Sequence, residues 1–395
     1  MSRTERYFFF ATCAPGLEAL LHAELDQHRF LRVERQVGGC KFEGTMEDAW
    51  RANLWLRTCV RVLRRVERFV AVTPEELYDH VAAVPWERWL APEGTLIVDA
   101  QSRDSELNHT RFIEQKTKDA IVDRFRDREG VRPNVDKEDA DLRVHVHVSR
   151  DRVTLSLDTS GDSLHKRGWR KHQGRAPLSE VLASACVMMS GWDRRAPLLD
   201  PFCGSGTIAI EAALLGLDIA PGLFRERFGF ERWLDHDAAG WRAAVEEARG
   251  KRKPARKLRI LASDSDFVRI EEARANVESA GVAEVVELEC ADAKDFAPRR
   301  GWNAFVVTNP PWGERLGDER ELRELYARFG RRLAEHCAGY RVAILTRSGG
   351  AGDALGLPRL ARMPIANGAL DCELLVGEVP ADAVPADVAP GDRAR

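Results

Sequence analysis

Thr308-Asn309-Pro310-Pro311-Trp312 follows directly on the apolar run Ala304-Phe305-Val306-Val307. A buried strand ending in an amide, two prolines and an aromatic ring has the parts to hold a flat ring that bears an exocyclic amine. Asn309 offers a side-chain oxygen, Pro310 a backbone carbonyl, and Trp312 a stacking face. The prolines Pro310 and Pro311 fix φ and bring no N–H, so the turn is stiff and its carbonyls stay available. Such a loop could accept the amine's protons and aim its lone pair at an electrophile. Pro-Pro alone describes only a rigid surface turn; the residues upstream add the chemical context.

Three further strand-like runs end in acids: Leu198-Leu199 at Asp200, the run 258–262 near Asp264, and the run 285–290 at Asp292. In open α/β sheets ligands sit outside the carboxyl ends of the strands, so four polar termini on one rim would make a pocket. The first is the most specific, because Asp200-Pro201-Phe202-Cys203-Gly204-Ser205-Gly206-Thr207 joins a strand to a helix. Gly204 and Gly206 let backbone approach a ligand closely. The spacing is neither Gly-x-Gly-x-x-Gly nor a phosphate loop ending in Lys-Ser/Thr, which speaks against a nicotinamide enzyme or a nucleotide hydrolase. A ligand with an amino acid and a nucleoside but no pyrophosphate fits better, and S-adenosylmethionine is such a ligand. Asp200, Phe202, Gly204 and Gly206 would line its site, Asp264 or Asp266 would accept the ribose hydroxyls, and Asp292 would take the adenine amino proton. Cys203 reads as a small structural residue of the loop.

The elements that must position these residues separate into three patterns. Residues 1–67 read strand, helix, two short strands around Gly38-Gly39, helix, strand, the βαββαβ order of a small ferredoxin-like sheet. In residues 68–162 a helix near 74–81, a strand at 95–100 and a long helix at 109–128 precede two strands at 142–148 and 152–157. Alternation at Val144, Val146 and Val148 marks a half-buried face and predicts that His145 and His147 point outward together. From 178 to 379 strands and helices alternate and the strands are nearly continuously apolar, as in a parallel sheet covered on both faces. Residues 224–249 form a helical insertion expected near the substrate mouth, and 380–395, rich in Ala, Pro and Asp, reads as a disordered tail.

Composition narrows the class. With 395 residues, 44% apolar and 31% charged, the chain is expected to hold two or three globular domains. No apolar run approaches the ~20 residues that span a bilayer, so no membrane partner is expected. Eight cysteines without a Cys-x-x-Cys pair or nearby histidines indicate neither a metal site nor a disulfide frame, and a cytoplasmic location follows. A net charge of −3 excludes a uniformly basic nucleic-acid binder but leaves room for local patches. One is the linker 163–177, with Lys166, Arg167, Arg170, Lys171 and Arg175 interleaved with His165, Trp169 and His172, a mixture suited to an RNA backbone. A second basic run contains Arg249, Lys251, Arg252, Lys253, Arg256, Lys257 and Arg259. Nothing in the chain specifies an oligomeric state.

The series Asp200 to Thr207, Asp264, Asp292 and Asn309-Pro310-Pro311-Trp312 resembles that of class I methyltransferases acting on amino groups. His109 to Phe112, Leu157 to Gly161 and Leu164 to Arg170 resemble the RNA-binding THUMP domain and its exit. Ile219 to Leu223 and Asn367 to Cys372 are similar to stretches of bacterial large-subunit rRNA guanine-N2 methyltransferases, and the resemblance covers nearly the whole chain. It implies a Rossmann-like class I methyltransferase domain preceded by an N-terminal ferredoxin-like domain and a THUMP domain. It also implies methyl transfer from S-adenosylmethionine to the N2 amine of a guanine in RNA, with 23S rRNA as the expected substrate. The alternatives are a tRNA guanine, an adenine N6 amine, or a catalytically silent RNA-binding protein. Trp312 stands where a tyrosine is common, which keeps the stacking face and loses a hydroxyl. Some relatives carry a second, fused methyltransferase, which this chain is expected to lack.

Overall fold

The computed structural model describes residues 5–172, 178–255, 257–299, 301–313 and 319–380. Arg175, Arg256 and the tail from 381 onward lie outside the described residues. The chain divides into two compact units. The first comprises the described residues within Met1–Cys13, Leu21–Lys166 and Arg225–Glu247, and the second those within Ala14–Leu20, Arg167–Phe224 and Ala248–Arg395.

The first unit opens with β1 (Tyr7–Thr12), α1 (Glu18–Gln27, which begins in the second unit's share of the chain), β2 (Leu31–Gln36), β3 (Gly39–Gly44), α2 (Met46–Trp55) and β4 (Arg61–Val70). It continues through α3 (Pro74–Ala83), β5 (Thr95–Arg103), α4 (Thr110–Glu129), β6 (Asn134–Val135), β7 (Leu142–Ser149) and β8 (Arg152–Asp158). Local chemistry sets several of these boundaries. Thr45 and Asp48 form a reciprocal capping box at α2, and Thr73 and Glu76 form another at α3, where Pro74 takes the first-turn position that needs no N–H. Gly130 stops α4 in a left-handed conformation at φ +70°. Leu142, Val144, Val146 and Val148 of β7 are all buried, as their alternation requires.

The βαββαβ order is present, yet its sheet is not a separate small one. β4 runs on to Val70 and pairs antiparallel with β8, from Leu63 opposite Asp158 to Val70 opposite Arg152. The result is one eight-stranded sheet in the order β2-β3-β1-β4-β8-β7-β5-β6. The expected outward histidine pair is also corrected. His147 is exposed, but His145 is half-buried with Nε2 3.3 Å from Oδ2 of the buried Asp158, which Arg61 also holds. A desolvated carboxylate draws the nearest donors to itself.

The insertion packs differently from expectation, because residues 225–247 return to the first unit. Trp50 of α2 meets Phe230 and Trp241 at 6.1 and 6.0 Å between ring centroids. Arg225 donates to the carbonyls of Ser160, Asp162 and Ser163, and Arg232 pairs with Asp141 at 3.0 Å. Gly229 is required here, since a Cβ would lie 2.7 Å from the Asp158 carbonyl oxygen.

The second unit contains α5 (Glu180–Met189), β9 (Leu198–Asp200) and α6 (Thr207–Gly216); α7 (Ala238–Gly250) carries the chain back to it. Then follow β10 (Ile260–Asp264), α8 (Phe267–Ser279), β11 (Val286–Cys290), β12 (Phe305–Thr308), α9 (Glu319–His336), β13 (Arg341–Arg347), β14 (Ala361–Asn367) and β15 (Leu370–Glu378). Their sheet runs β11-β10-β9-β12-β13-β15-β14, parallel from β11 to β13 and antiparallel at the β15 and β14 edge. Every residue of β9 and β12 is buried, which explains their continuous apolar runs. α9 lays Leu322, Tyr326, Phe329 and Leu333 on the core that contains Leu199, Val306, Val342 and Ile344. Strand order reverses between β9 and β12, and the crevice beyond their carboxyl ends is where an open sheet of this kind binds a ligand.

Candidate active site

Register brings the acids and the amide to one rim. Asp200 is level with Ala262, Leu199 with Val306, and Asp264 with Cys290, so the ends of β9, β10, β11 and β12 lie side by side. Asp200 is 1% exposed. Its Oδ1 accepts the Thr308 hydroxyl at 2.6 Å and, more weakly, the Phe202 N–H at 3.4 Å. Its Oδ2 is buried with no hydrogen-bond partner among the described residues. Burial, helped by the Asp264 charge and opposed by the Thr308 and Phe202 hydrogen bonds, leaves the Asp200 carboxyl pushed up to about 7.

The glycine loop folds over the end of β10. The Cys203 N–H donates to the Ser263 carbonyl at 2.9 Å, and the Gly204 N–H donates to Oδ2 of Asp264 at 3.0 Å. Gly204 and Gly206 have φ of +52° and +84°, the left-handed region that favours glycine. Nothing lies within 4 Å of where a Cβ on Gly204 would stand, so the loop is open on that side. The half-buried Phe202 packs its ring edge-to-face on Phe329 at 5.1 Å, against the core under α9. Cys203 is buried, and desolvation raises its thiol well above the usual range, which fits a structural role.

The structure separates the two candidate ribose acids. Asp266 caps α8, accepting the Val268 N–H at 2.8 Å. Asp264, half-buried at the rim, faces the loop and accepts the Gly204 and Asp266 N–H groups on different oxygens, leaving lone pairs for further donors. Asp292 follows β11 and accepts the Lys294 N–H at 2.8 Å.

Asn309 follows β12, and its Oδ1 is buried without a partner among the described residues; the same is true of Nε1 of Trp312. Between them, the Pro311 carbonyl accepts the Tyr326 hydroxyl of α9 at 3.2 Å, which pins the turn. Burial pushes the Tyr326 phenol up to about 12, so it stays a donor. Native interiors rarely leave buried polar atoms unpaired. Asp200, Asn309 and Trp312 are among the described residues that carry such an atom, which leaves those atoms available to a ligand's hydrogen-bonding groups.

The first basic run is corrected in part. Lys166 and Lys171 are exposed, as an RNA contact requires. Arg167 is 2% exposed with Nε 3.5 Å from Glu211, and Trp169 is 1% exposed with its indole N–H on the same carboxylate. The Arg170 side chain is also buried, donating to Glu180, Ser205, Thr207 and the Leu178 carbonyl. Arg167 and Arg170 are therefore not a surface grip, because the buried acids Glu211 and Glu180 need them inside. In the second run Arg252, Lys253 and Arg259 pair with Glu284, Asp218 and Glu287. Among the described residues no group of three or more His, Cys, Asp or Glu could hold a metal, and no helix is long and apolar enough to cross a membrane.

Sequence reasoning missed Thr308, Tyr326 and Asn276, whose buried Nδ2 donates to the Ser205 carbonyl of the glycine loop at 3.1 Å. Thr308 sits beside the noticed amide, and a hydroxyl ending an otherwise apolar strand was its only signal. Tyr326 and Asn276 lie on amphipathic helices where no local pattern sets them apart.

Comparison with known proteins agrees with this geometry. The model of an RMKL-like methyltransferase domain matches residues 167–375, a THUMP domain matches 71–158, and an RlmL ferredoxin-like domain matches 8–63. The chain is 43% identical over 376 residues to ribosomal RNA large subunit methyltransferase K/L of Syntrophotalea carbinolica, covering 93% of this chain and 53% of that protein. It thus spans about half the length of the curated relatives it matches. Among solved structures, a possible methylase from Clostridium difficile 630 superposes with a TM-score of 0.86 at 30% identity, covering 95% of this chain and 99% of that one. SMU.472 complexed with SAH superposes with a TM-score of 0.85 at 31% identity, covering 94% and 98%. The fold class expected from the resemblance is met by these matches.

Proposed function

The chain belongs to the RMKL-like methyltransferase family, and on that premise we propose that it methylates the exocyclic N2 amine of a guanine in large-subunit ribosomal RNA. The observation that carries this reading is the unpartnered Asn309 oxygen, buried at the end of a central strand whose Thr308 hydroxyl reaches Asp200. S-adenosylmethionine, the donor whose spent form is SAH, supplies an electrophilic methyl group on a sulfonium. The chain's residues do the rest. Asp200 and the backbone at Gly204 and Gly206 hold the donor's amino-acid end, Asp264 takes its ribose hydroxyls, and Asp292 takes its adenine amine.

A guanine amine is a poor nucleophile because its lone pair is delocalised into the ring. The Asn309 side-chain oxygen and the Pro310 carbonyl accept hydrogen bonds from its two N–H groups and orient the nitrogen for direct in-line displacement, in which the N–C bond forms as the sulfonium S–C bond breaks, SAH leaves and the methylated nitrogen gives one proton to water. Charge developing on the nitrogen is stabilised by those oxygens, and positioning supplies much of the acceleration. Trp312 stacks on the base, contributing on the order of 1–3 kcal/mol. Tyr326 keeps the loop in place through the Pro311 carbonyl. A base stacked in a helix cannot enter such a site, so the target is flipped out or lies in a loop. Lys166 and Lys171 contact phosphates, and the THUMP and ferredoxin-like regions read RNA shape. The enzyme acts in the cytoplasm, where ribosomal RNA is processed.

Labelled donor incubated with large-subunit ribosomal RNA and, separately, with transfer RNA tests the proposal. Label is expected in the ribosomal RNA; label in transfer RNA alone, or in neither, would refute it.

A further inference from the structure

From the burial of the segment that carries the chain into the second unit, we infer that Arg170 is a positioning residue for the glycine loop, acting together with Asn276 of α8. This rests on the reading that the loop holds the methyl donor. Arg170 uses its whole fork. Nε donates to Oε1 of Glu180 at 2.8 Å, Nη1 to the Ser205 hydroxyl at 3.1 Å, and Nη2 to the Thr207 hydroxyl at 3.0 Å and the Leu178 carbonyl at 3.1 Å. Ser205 and Thr207 flank Gly206, the left-handed residue from which α6 starts. Asn276, fully buried, grips the loop from the other side. Its Nδ2 donates to the Ser205 carbonyl at 3.1 Å, while its Oδ1 accepts the Lys171 and His172 N–H groups at 2.7 and 3.1 Å.

Ser205 is thus fixed twice, its hydroxyl by Arg170 and its carbonyl by Asn276. A glycine-rich loop has much conformational freedom to lose, and a buried bidentate guanidinium removes it before the ligand arrives. Glu180 keeps the guanidinium in place: it is 4% exposed, burial raises its carboxyl, and Arg170 opposes that rise. Lysine cannot substitute, since one ammonium on a flexible stem does not span two hydroxyls, a carbonyl and a carboxylate. The role is therefore donor affinity, reached through the loop, and not RNA affinity.

The test measures two affinities on the full chain: SAH by calorimetry and ribosomal RNA by filter binding. Arg170→Ala should weaken SAH binding about tenfold, roughly 1.4 kcal/mol, and leave RNA binding within about twofold. Arg170→Lys should recover only part of the loss. The double variant Arg170→Met with Glu180→Gln leaves no unpaired buried charge, and should show the same SAH defect with an intact thermal transition. Unchanged SAH affinity in that double variant, full recovery by lysine, or a defect confined to RNA binding would each overturn the inference. If the wild-type chain bound no SAH, the reading of the loop as the donor site would fall with it; wild-type binding matched by the variants would remove the brace alone.

Discussion

At the scale of single residues, one amide, Asn309, and one carboxyl, Asp200, each make a separable claim. Asn309→Ala is expected to lower the methyl-transfer rate by about 10²-fold or more, the usual cost of removing a group that stabilises developing charge. SAH affinity should stay within about twofold, because the donor's contacts are assigned elsewhere; single-turnover kinetics and calorimetry on one preparation would show both. Equal rates would remove Asn309 from the mechanism. Asp200 makes a prediction about pH. The folded chain holds its proton up to about 7, while an ordinary aspartate releases it near 3.8, so ionisation works against the fold between those values. Its contribution to stability is full below that window and is lost as pH rises through it. The stability difference between Asp200→Asn and wild type should therefore move in favour of asparagine from pH 5 to pH 7, as read by denaturant unfolding. A difference constant with pH would show that Asp200 titrates normally. Both residues were legible in the chain because each ends an apolar run in a polar side chain. Arg167, Trp169 and Arg170 were misread, because basic and aromatic residues together describe a surface until the acids Glu180 and Glu211 are known to be buried beside them.

At the scale of elements, α9 shows how helix propensity yields to packing. Gly330 lies within this helix, where alanine would ordinarily gain about 1 kcal/mol. A Cβ there, however, would stand 1.8 Å from the Leu355 carbonyl oxygen, a backbone atom that cannot move aside cheaply. Overpacking of this kind costs about 1–3 kcal/mol or more, so Gly330→Ala should destabilise the chain in thermal or denaturant melts; a stabilised variant would contradict the packing. The same helix pins the Pro311 carbonyl through Tyr326, so its seating also sets the substrate loop. Strand and helix order was readable from apolar periodicity, as at Val144, Val146 and Val148. The pairing of β4 with β8 was not, because their partnership spans sequence-distant strands and no local residue announces it.

At the scale of the whole molecule, a net charge of −3 and an RNA substrate are reconciled by local basic residues. RNA affinity should fall steeply with added salt, while SAH affinity stays nearly flat. Lys166→Ala and Lys171→Ala should each reduce the slope of log affinity against log salt by about 1; unchanged slopes would place the RNA elsewhere. The division into two units was only partly foreseeable. Residues 225–247 look like part of the catalytic region by position, and long-range contacts such as those of Trp50 with Phe230 and Trp241, and of Arg232 with Asp141, assign them to the first unit. The central claim is that the loop from Asn309 to Trp312 presents a guanine amine to the methyl donor. Mass spectrometry of nucleosides released from ribosomal RNA after one round of transfer tests it most directly. N2-methylguanosine is the expected product, and N6-methyladenosine, or a methyl group on a ring carbon or a ribose oxygen, would contradict it.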